Sequence, residues 1–285
     1  MPTSHLEKLA IVFLVFFTSS AQVEAEPFKP TCPTPSFPSP APAQLVIDQQ
    51  CGVQGEAQQP KPETDQNLAK NNFCAGAAAP ITIPQMRTLQ AQVQSNSTIN
   101  FGNSHSATNP GPAKDRSPLR TMGEGELRVL EGYVLIARQE GKEMVNCETT
   151  PPDAPASHDI HISIVETQNQ VHGNECESVV AEMSPHHRPD VWNEENVQKV
   201  ALAHKRVRLT GQLFFDSSHS PCSNGRAAPG DPHRSSLWEI HPIYKFDVCP
   251  KTTCAATEWV SLDKWLKAPG VKVPRAKPPV AKGRR

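Results

Sequence analysis

DIHISIV, at residues 159–165, alternates polar and apolar side chains from Asp159 to Ile164. Successive side chains of a β-strand point to opposite faces, so this pattern predicts a strand with its three isoleucines on one face. Asp159, His161 and Ser163 then share the other face. The stretch is therefore expected to form one wall of a sheet that buries its aliphatic side.

Four further segments carry strand patterns, at residues 127–137, 177–183, 206–216 and 237–248. Gly132 and Gly211 lie inside two of the long segments, which indicates strands that bend sharply. Trp238, Tyr244 and Phe246 alternate with polar residues in the last segment, so all three are predicted to face the core.

A helix is predicted over residues 193–204, between the third and fourth strands, with Glu194 and Glu195 in its first turn. The order strand, strand, strand, helix, strand, strand predicts a mainly β fold. It is the order of the OB-fold, a five-stranded Greek-key barrel with one helix between strands 3 and 4. A small β-sandwich with a crossover helix is the alternative.

Two short motifs resemble a group of uncharacterised bacterial exported proteins: Leu237-Trp238-Glu239-Ile240-His241-Pro242-Ile243 in the last strand, and Asn71-Asn72-Phe73-Cys74 upstream. The resemblance implies a bacterial source and an OB-like barrel. It carries over no activity.

Residues 1–25 are predicted to be a cleavable signal peptide. Lys8 precedes an apolar run from Leu9 to Phe17, and small residues follow it. The run is shorter than the about 20 apolar residues that a membrane span needs, so a retained anchor is the alternative. No transmembrane helix is expected after cleavage, and the predicted location is secreted or periplasmic.

The rest of the chain divides into three predicted regions. Residues 26–120 form a largely irregular, proline-rich arm that contains cysteines and one short helix near residues 84–94. Residues 121–256 form the OB-like barrel domain. Residues 257–285 hold a short helix over Trp259 to Leu266 and a basic, disordered tail that can contact polyanions, or that serves only as a solubilising end.

Eight cysteines follow the predicted signal, and an even number in an exported chain predicts a disulfide framework. Three precede residue 120 and five follow it, so full oxidation within the chain requires at least one bridge between the two halves. One or two free thiols are the alternative. The disulfide candidates are Cys32, Cys51, Cys74, Cys147, Cys176, Cys222, Cys249 and Cys254.

The charge of the barrel region argues against nucleic-acid binding by the barrel itself. Residues 121–256 contain 12 Lys and Arg against 19 Asp and Glu, and nine of the 11 histidines. An OB face that binds nucleic acid needs a basic groove with stacking aromatics. Histidine and carboxylate side chains instead suit a divalent metal such as zinc, manganese or iron.

Two histidine–carboxylate pairs are the main candidates for a ligand or metal site, because residues two apart on a strand share a face. They are Asp159 with His161, and Glu239 with His241. A solvated outer face is the alternative for either pair. Pro185 to Pro189 is predicted to be a rigid exposed turn. Further candidates at strand ends or loops are Glu182, His186, His187, Asp216 and His219.

No His-Glu-x-x-His, Gly-x-Ser-x-Gly or phosphate-loop motif is present, which disfavours zincin proteases, α/β-hydrolases and P-loop enzymes. No catalytic residue is assigned. We expect a non-enzymatic exported module that binds a small ligand or an envelope component. The alternatives are a metal-dependent hydrolase of the phosphodiesterase or nuclease type, using the four residues of the two pairs, and a nucleic-acid binder acting through the tail.

Overall fold

The computed structural model describes residues 52–56, 61–73, 76–99, 113, 115–146, 158–228 and 230–269. Several predicted features lie outside these residues: the signal peptide, the proline-rich run, nearly all of the basic tail, and Cys32, Cys51, Cys74 and Cys147. Within the described ranges, no helix is long and apolar enough to cross a membrane.

The described chain contains seven strands and five α-helices. The helices are α1 (Lys61–Lys70), α2 (Ile83–Ser95), α3 (Ser117–Thr121), α4 (Glu194–Leu202) and α5 (Leu262–Leu266). The strands are β1 (Ala79–Ile81), β2 (Leu127–Gln139), β3 (Ile160–Val165), β4 (Val179–Met183), β5 (Arg206–Phe215), β6 (Trp238–Val248) and β7 (Val260–Ser261). Short 3₁₀-helices lie at Met144–Asn146, Gln168–His172, Glu175–Glu177 and Pro185–His187.

Five of the strands close into a barrel. Strand β2 pairs antiparallel with both β3 and β5, and β3 pairs antiparallel with β4. The ring is completed by a parallel contact of β4 with β6 and an antiparallel pairing of β6 with β5. The prediction of a mainly β protein built on a five-stranded barrel is confirmed.

Two mid-strand glycines lie where neighbouring backbones approach each other. A Cβ atom on Gly132 would lie 2.6 Å from the carbonyl oxygen of Val165, and one on Gly211 would lie 2.3 Å from that of Pro242. No side chain fits at such distances. The glycines therefore permit the tight strand crossings that close a small barrel.

The barrel interior is filled by the aliphatic faces that alternation predicts. Ile160, Ile162 and Ile164 are at most 1% exposed, and they belong to one core cluster with Leu209 and Phe246. Burying each such side chain contributes about 1.5–3 kcal/mol to folding. The interior is thus the main apolar source of stability.

The prediction that Tyr244 faces the core is wrong. The register between β5 and β6 shifts on both sides of Gly211, which changes the residues of β6 that point inward. Ile243 is buried in the core cluster, whereas Tyr244 is half-buried outside it. The Tyr244 hydroxyl donates a hydrogen bond to the carbonyl of Asn72, at 2.7 Å.

Helix α2 matches the short helix predicted in the arm. Thr82 caps it, and the side chains of Thr82 and Gln85 form a capping box. Met86 and Val93 join the barrel's core cluster, and Gln90 accepts a hydrogen bond from the backbone of Leu237. The helix begins next to its proline because a missing N–H is tolerated in the first turn.

Helix α1 covers the outer face of the barrel and has no counterpart in the sequence-based prediction. Its Ala69 packs on Phe214 of β5, and its Gln66 contacts the hydroxyls of Ser217 and Ser218. All residues of β3 and β4 are buried, including the polar ones that point away from the barrel interior. The alternative of a solvated outer face is wrong for both candidate pairs, because Asp159, His161, Glu239 and His241 are at most 3% exposed.

Two disulfides lie within the described residues. Cys176 and Cys222 join the segment before β4 to the β5–β6 connection, and Cys249 and Cys254 close a short loop after β6. The predicted helix Trp259 to Leu266 begins only at Leu262, because Val260 and Ser261 pair with β6 as strand β7. These links fix the connections around the barrel.

Candidate buried histidine–carboxylate site

Glu182 lies at the centre of a buried polar group on the outer face of the barrel. It is the direct cross-strand neighbour of His161, and the parallel contact between β4 and β6 brings His241 to its other side. Its Oε1 is 2.7 Å from His161 Nε2, and its Oε2 is 2.7 Å from His241 Nδ1. Three adjacent strands therefore place one carboxylate between two imidazoles.

Asp159 completes this group from the position just before β3. Asp159, Glu182 and His241 each offer one possible metal-ligand atom, and these three atoms lie within 4.8 Å of one another. All three residues are fully buried. Gln139 fixes the backbone here, since its side chain donates to the carbonyls of His158 and Asp159. Neither carboxylate oxygen of Asp159 has a hydrogen-bond partner among the described residues.

Lys70 and two glutamates cover the group from above the sheet. The Lys70 ammonium, on the last residue of α1, lies 2.9 Å from Glu143 and 3.8 Å from Glu182. His161 Nδ1 lies 3.0 Å from Glu140, which follows β2. The site is thus built from three barrel strands, the end of one helix and the segment after β2.

A second ionic group lies next to the first on the outer face of the barrel. Arg234 Nη1 lies 3.1 Å from both Asp216 and Glu239, all of them at most 1% exposed. Asp216 also forms a hydrogen bond with Nδ1 of His219. Glu239 shares a strand with His241, yet its carboxylate contacts Arg234 and does not join the three-residue group.

Burial controls the acidity of two carboxyls in this layer. Desolvation, followed by the charge of Glu143, raises the pKa of Asp159 to about 6. Desolvation together with the nearby charges of Glu182 and Asp216 raises the pKa of Glu239 well above its usual value. Both groups are therefore held in surroundings that disfavour their negative charge.

For Glu182 and His161, nearby charges outweigh the effect of burial on the pKa. Burial alone would raise the pKa of Glu182, but His161, Lys70 and His241 outweigh it and hold that pKa well below its usual value. Burial would likewise lower the pKa of His161, but Glu182 and Glu140 raise it well above normal. These two side chains form a charged pair.

The whole layer has an excess of acid. Six carboxylates face three permanently cationic side chains, so three carboxylates depend on histidines, protons or an added cation for neutralisation. The carboxylates are Glu140, Glu143, Asp159, Glu182, Asp216 and Glu239, and the cations are Lys70, Arg188 and Arg234.

The sequence-derived candidates fall into three places. Asp159, His161, Glu182 and His241 meet in one group, and Glu239, Asp216 and His219 form the adjoining one. His186 and His187 lie apart from both: His186 is buried in a 3₁₀-helix, and the His187 ring contacts Phe73, Trp192 and Tyr244.

The segment 185–189 is not an exposed turn as predicted. Pro185, His186 and Arg188 are buried, and the Arg188 guanidinium donates to the carbonyls of His158 and Met183. A guanidinium that satisfies buried backbone oxygens holds the segment against the barrel. The segment therefore supports the backbone next to Asp159.

Sequence reasoning missed Lys70, Glu140, Glu143 and Arg234. The run 61–70 does carry a helix signal, with a proline and an acid at its start and a lysine at its end. Nothing in that run indicates which barrel strands it covers. Contacts across more than 70 positions, such as Lys70 with Glu143, leave no local pattern.

A second histidine–carboxylate group is partly exposed near the Cys176–Cys222 disulfide. Donor atoms of Glu175, Asp231 and His233 lie within 4.8 Å of one another. Arg138 forms an ion pair with Glu175 and already supplies a cation. The buried group is the stronger candidate because its Asp159 has no such counter-charge in hydrogen-bond contact.

No family model matches this chain, and searches of curated proteins and of solved structures likewise found no match.

Proposed function

We propose that this protein is an exported, disulfide-containing module whose OB-like barrel holds a divalent cation between Asp159, Glu182 and His241. Export is supported by the signal-like pattern of residues 1–25 and by the two disulfides, which persist in oxidising compartments. A secreted or periplasmic location follows from this proposal.

The OB-like assignment is supported by the connectivity of the barrel. Numbering only its five strands along the chain, the ring runs 1-2-3-5-4 and closes back on strand 1. The third and fifth strands are parallel, and α4 lies between the third and fourth. This is the arrangement that a five-stranded OB barrel adopts.

The main evidence for the cation site is the carboxylate of Asp159, which has no hydrogen-bond partner among the described residues. A buried charge without a partner is costly, and buried charges in proteins are normally paired or bound to a metal. Two carboxylates and one imidazole suit zinc or manganese. Ligands of tetrahedral zinc lie roughly 3.4 Å apart. The ligand atoms of Asp159, Glu182 and His241 lie within 4.8 Å of one another, so small side-chain adjustments bring them to that spacing.

Complete burial favours a binding or structural role over hydrolysis. A catalytic metal keeps one position open to water and substrate. Asp159, Glu182 and His241 are all fully buried, and α1 lies over them. A cation here joins β3, β4 and β6, and the module then recognises a small ligand or an envelope component elsewhere on its surface.

Metal analysis of the purified protein tests this proposal. The protein is incubated with Zn²⁺ or Mn²⁺, passed through a desalting column, and analysed by inductively coupled plasma mass spectrometry. We expect about one metal ion per chain for wild type. Asp159→Asn is expected to weaken affinity at least tenfold, the size of effect that even supporting residues have at metal sites.

Asp247→Asn is the matched control. Asp247 is also a buried carboxylate, but it lies at the far end of β6 and pairs with Lys245. It should retain wild-type metal content, with circular dichroism verifying the fold of both variants. Metal content at background in wild type, or equal losses in the two variants, would refute the cation site.

A further inference from the structure

A polar groove lies along the connection between β5 and β6. Its volume is about 1440 Å³, and it is lined mainly by Ser218, His219, Ser220, Ser223, Asn224 and Arg226. Typical small-molecule sites measure about 300–1,000 Å³. The groove therefore has room for more than a single inorganic ion.

The walls of the groove are fixed by covalent and backbone contacts. Cys222 is bonded to Cys176, and its N–H donates to the carbonyl of Arg234 at 2.8 Å. Ser223 and Arg226 exchange both backbone hydrogen bonds around Asn224 and Gly225, which have positive φ angles of 51° and 71°. This tight two-residue turn presents Arg226 from a defined backbone.

His219 is held in one orientation at the groove by a buried acid. Its Nδ1 is bonded to Asp216, which is fully buried and also bonded to Arg234. With Nδ1 occupied, Nε2 is the nitrogen left for the groove, and the side chain is 31% exposed. His219, Lys70 and Arg234 outweigh burial and hold the pKa of Asp216 well below normal.

The charge of the groove is opposite to that of the barrel region. None of its described lining residues is Asp or Glu, and the groups able to carry charge are His219 and Arg226. Asp231 follows the last lining residue, but its carboxylate lies 3.6 Å from His233. Hydroxyls, an amide, an imidazole and a guanidinium are groups that can donate hydrogen bonds to an oxyanion.

We propose that this groove binds a small ligand of the phosphate-ester class, with Nε2 of His219 and the guanidinium of Arg226 as the main hydrogen-bond partners of its tetrahedral oxyanion. The serine hydroxyls and Asn224 supply further hydrogen bonds, and the remaining volume accommodates the organic part. The site is separate from the cation site, because none of the three proposed cation ligands lines the groove.

Imidazole resonances of His219 provide a direct test. Full-length protein in EDTA is titrated with inorganic phosphate, glycerol 3-phosphate or acetate at constant ionic strength, and NMR follows the histidine signals. We expect both phosphates to shift the His219 signals, and the ester to bind more tightly. His219→Gln and Arg226→Gln should each raise the ester's dissociation constant at least fivefold, measured by calorimetry.

Lys245→Gln is the matched control, since it removes an exposed cation outside the groove. It should leave the dissociation constant unchanged. Four results would overturn the proposal: no shift at His219, acetate binding as tightly as the ester, an equal loss in Lys245→Gln, or inorganic phosphate binding more tightly than the ester, which would indicate an adventitious ion only. The EDTA keeps these outcomes independent of the cation site.

Discussion

Asp159 is a buried carboxylate whose oxygens meet no hydrogen-bond donor among the described residues. In EDTA, Asp159→Asn is expected to be about 1 kcal/mol more stable than wild type, because a neutral amide costs less to bury than an unpaired charge. Zinc at 100 times its dissociation constant should make wild type the more stable protein, since binding adds about 2.7 kcal/mol to its free energy of unfolding. Urea unfolding measures both differences.

Asp247→Asn again serves as the control for this comparison. Its carboxylate is already paired, so its effect on the free energy of unfolding should be the same in EDTA and in zinc. A loss of stability in Asp159→Asn that is equal under the two conditions would contradict the interpretation.

The lowered pKa of Asp216 makes the stability of the fold depend on pH in the acid range. His219, Arg234 and Lys70 face its carboxylate and hold its pKa well below normal, so its charge stabilises the fold above about pH 4, the pKa of an unfolded aspartate. At pH 5 to 7, Asp216→Asn should cost about 3–5 kcal/mol, because it leaves the buried Arg234 with less counter-charge.

The gap between wild type and Asp216→Asn should narrow below about pH 4, as the unfolded wild-type chain takes up a proton that the folded chain does not. Urea unfolding of both proteins at pH 5 and at pH 3.5 measures this change. An equal gap at the two values would show that Asp216 has an ordinary pKa in the folded protein.

At the scale of elements, helix α1 is attached to the barrel mainly by polar contacts. Lys70→Met removes the ammonium between Glu143 and Glu182, and breaking such a buried pair costs about 3 kcal/mol. Faster amide hydrogen exchange is expected in residues 65–71, because the helix loses its ionic contact with Glu182 of the sheet. Mass spectrometry of peptic fragments follows this exchange.

Lys199→Met in α4 is the matched control. Lys199 pairs with the exposed Glu195 one turn away, and such pairs contribute at most about 0.5 kcal/mol. Its exchange pattern should match wild type. Unchanged exchange of α1 in Lys70→Met would mean that the ion pairs do not hold the helix.

Local patterns predicted the barrel strands well and the covering elements poorly. Ile160, Ile162 and Ile164 face the core, and their alternation with polar residues shows this in the sequence of the strand alone. Docking of α1 depends on Gln66 and Lys70 meeting residues far along the chain, and the run 61–70 has no apolar stripe to indicate a buried face. The site was therefore predicted in its strand residues and missed in its cover.

At the scale of the whole molecule, the two disulfides close loops of different size. Cys176 and Cys222 are 46 residues apart, whereas Cys249 and Cys254 are five apart. Loop entropy then predicts that replacing the first pair by serine costs about 4 kcal/mol and the second about 2 kcal/mol. Chemical unfolding of the two double variants compares these costs, and a larger cost for the short loop would contradict the prediction.

The remaining four cysteines lie outside the described residues, three before residue 120 and Cys147 after it. Because the two observed bridges both lie in the second half, full oxidation requires Cys147 to pair with Cys32, Cys51 or Cys74. This stays a prediction from the sequence. Non-reducing peptide mapping identifies the bridge, and a free thiol at Cys147 would contradict it.

The cation site is the claim on which the proposed role of the barrel depends, and anomalous diffraction at the zinc edge tests it most directly. In crystals grown with one equivalent of zinc, we expect one strong anomalous peak within about 2.2 Å of donor atoms from Asp159, Glu182 and His241. A peak only at Glu175, Asp231 and His233, or no peak among the described residues, would contradict the account.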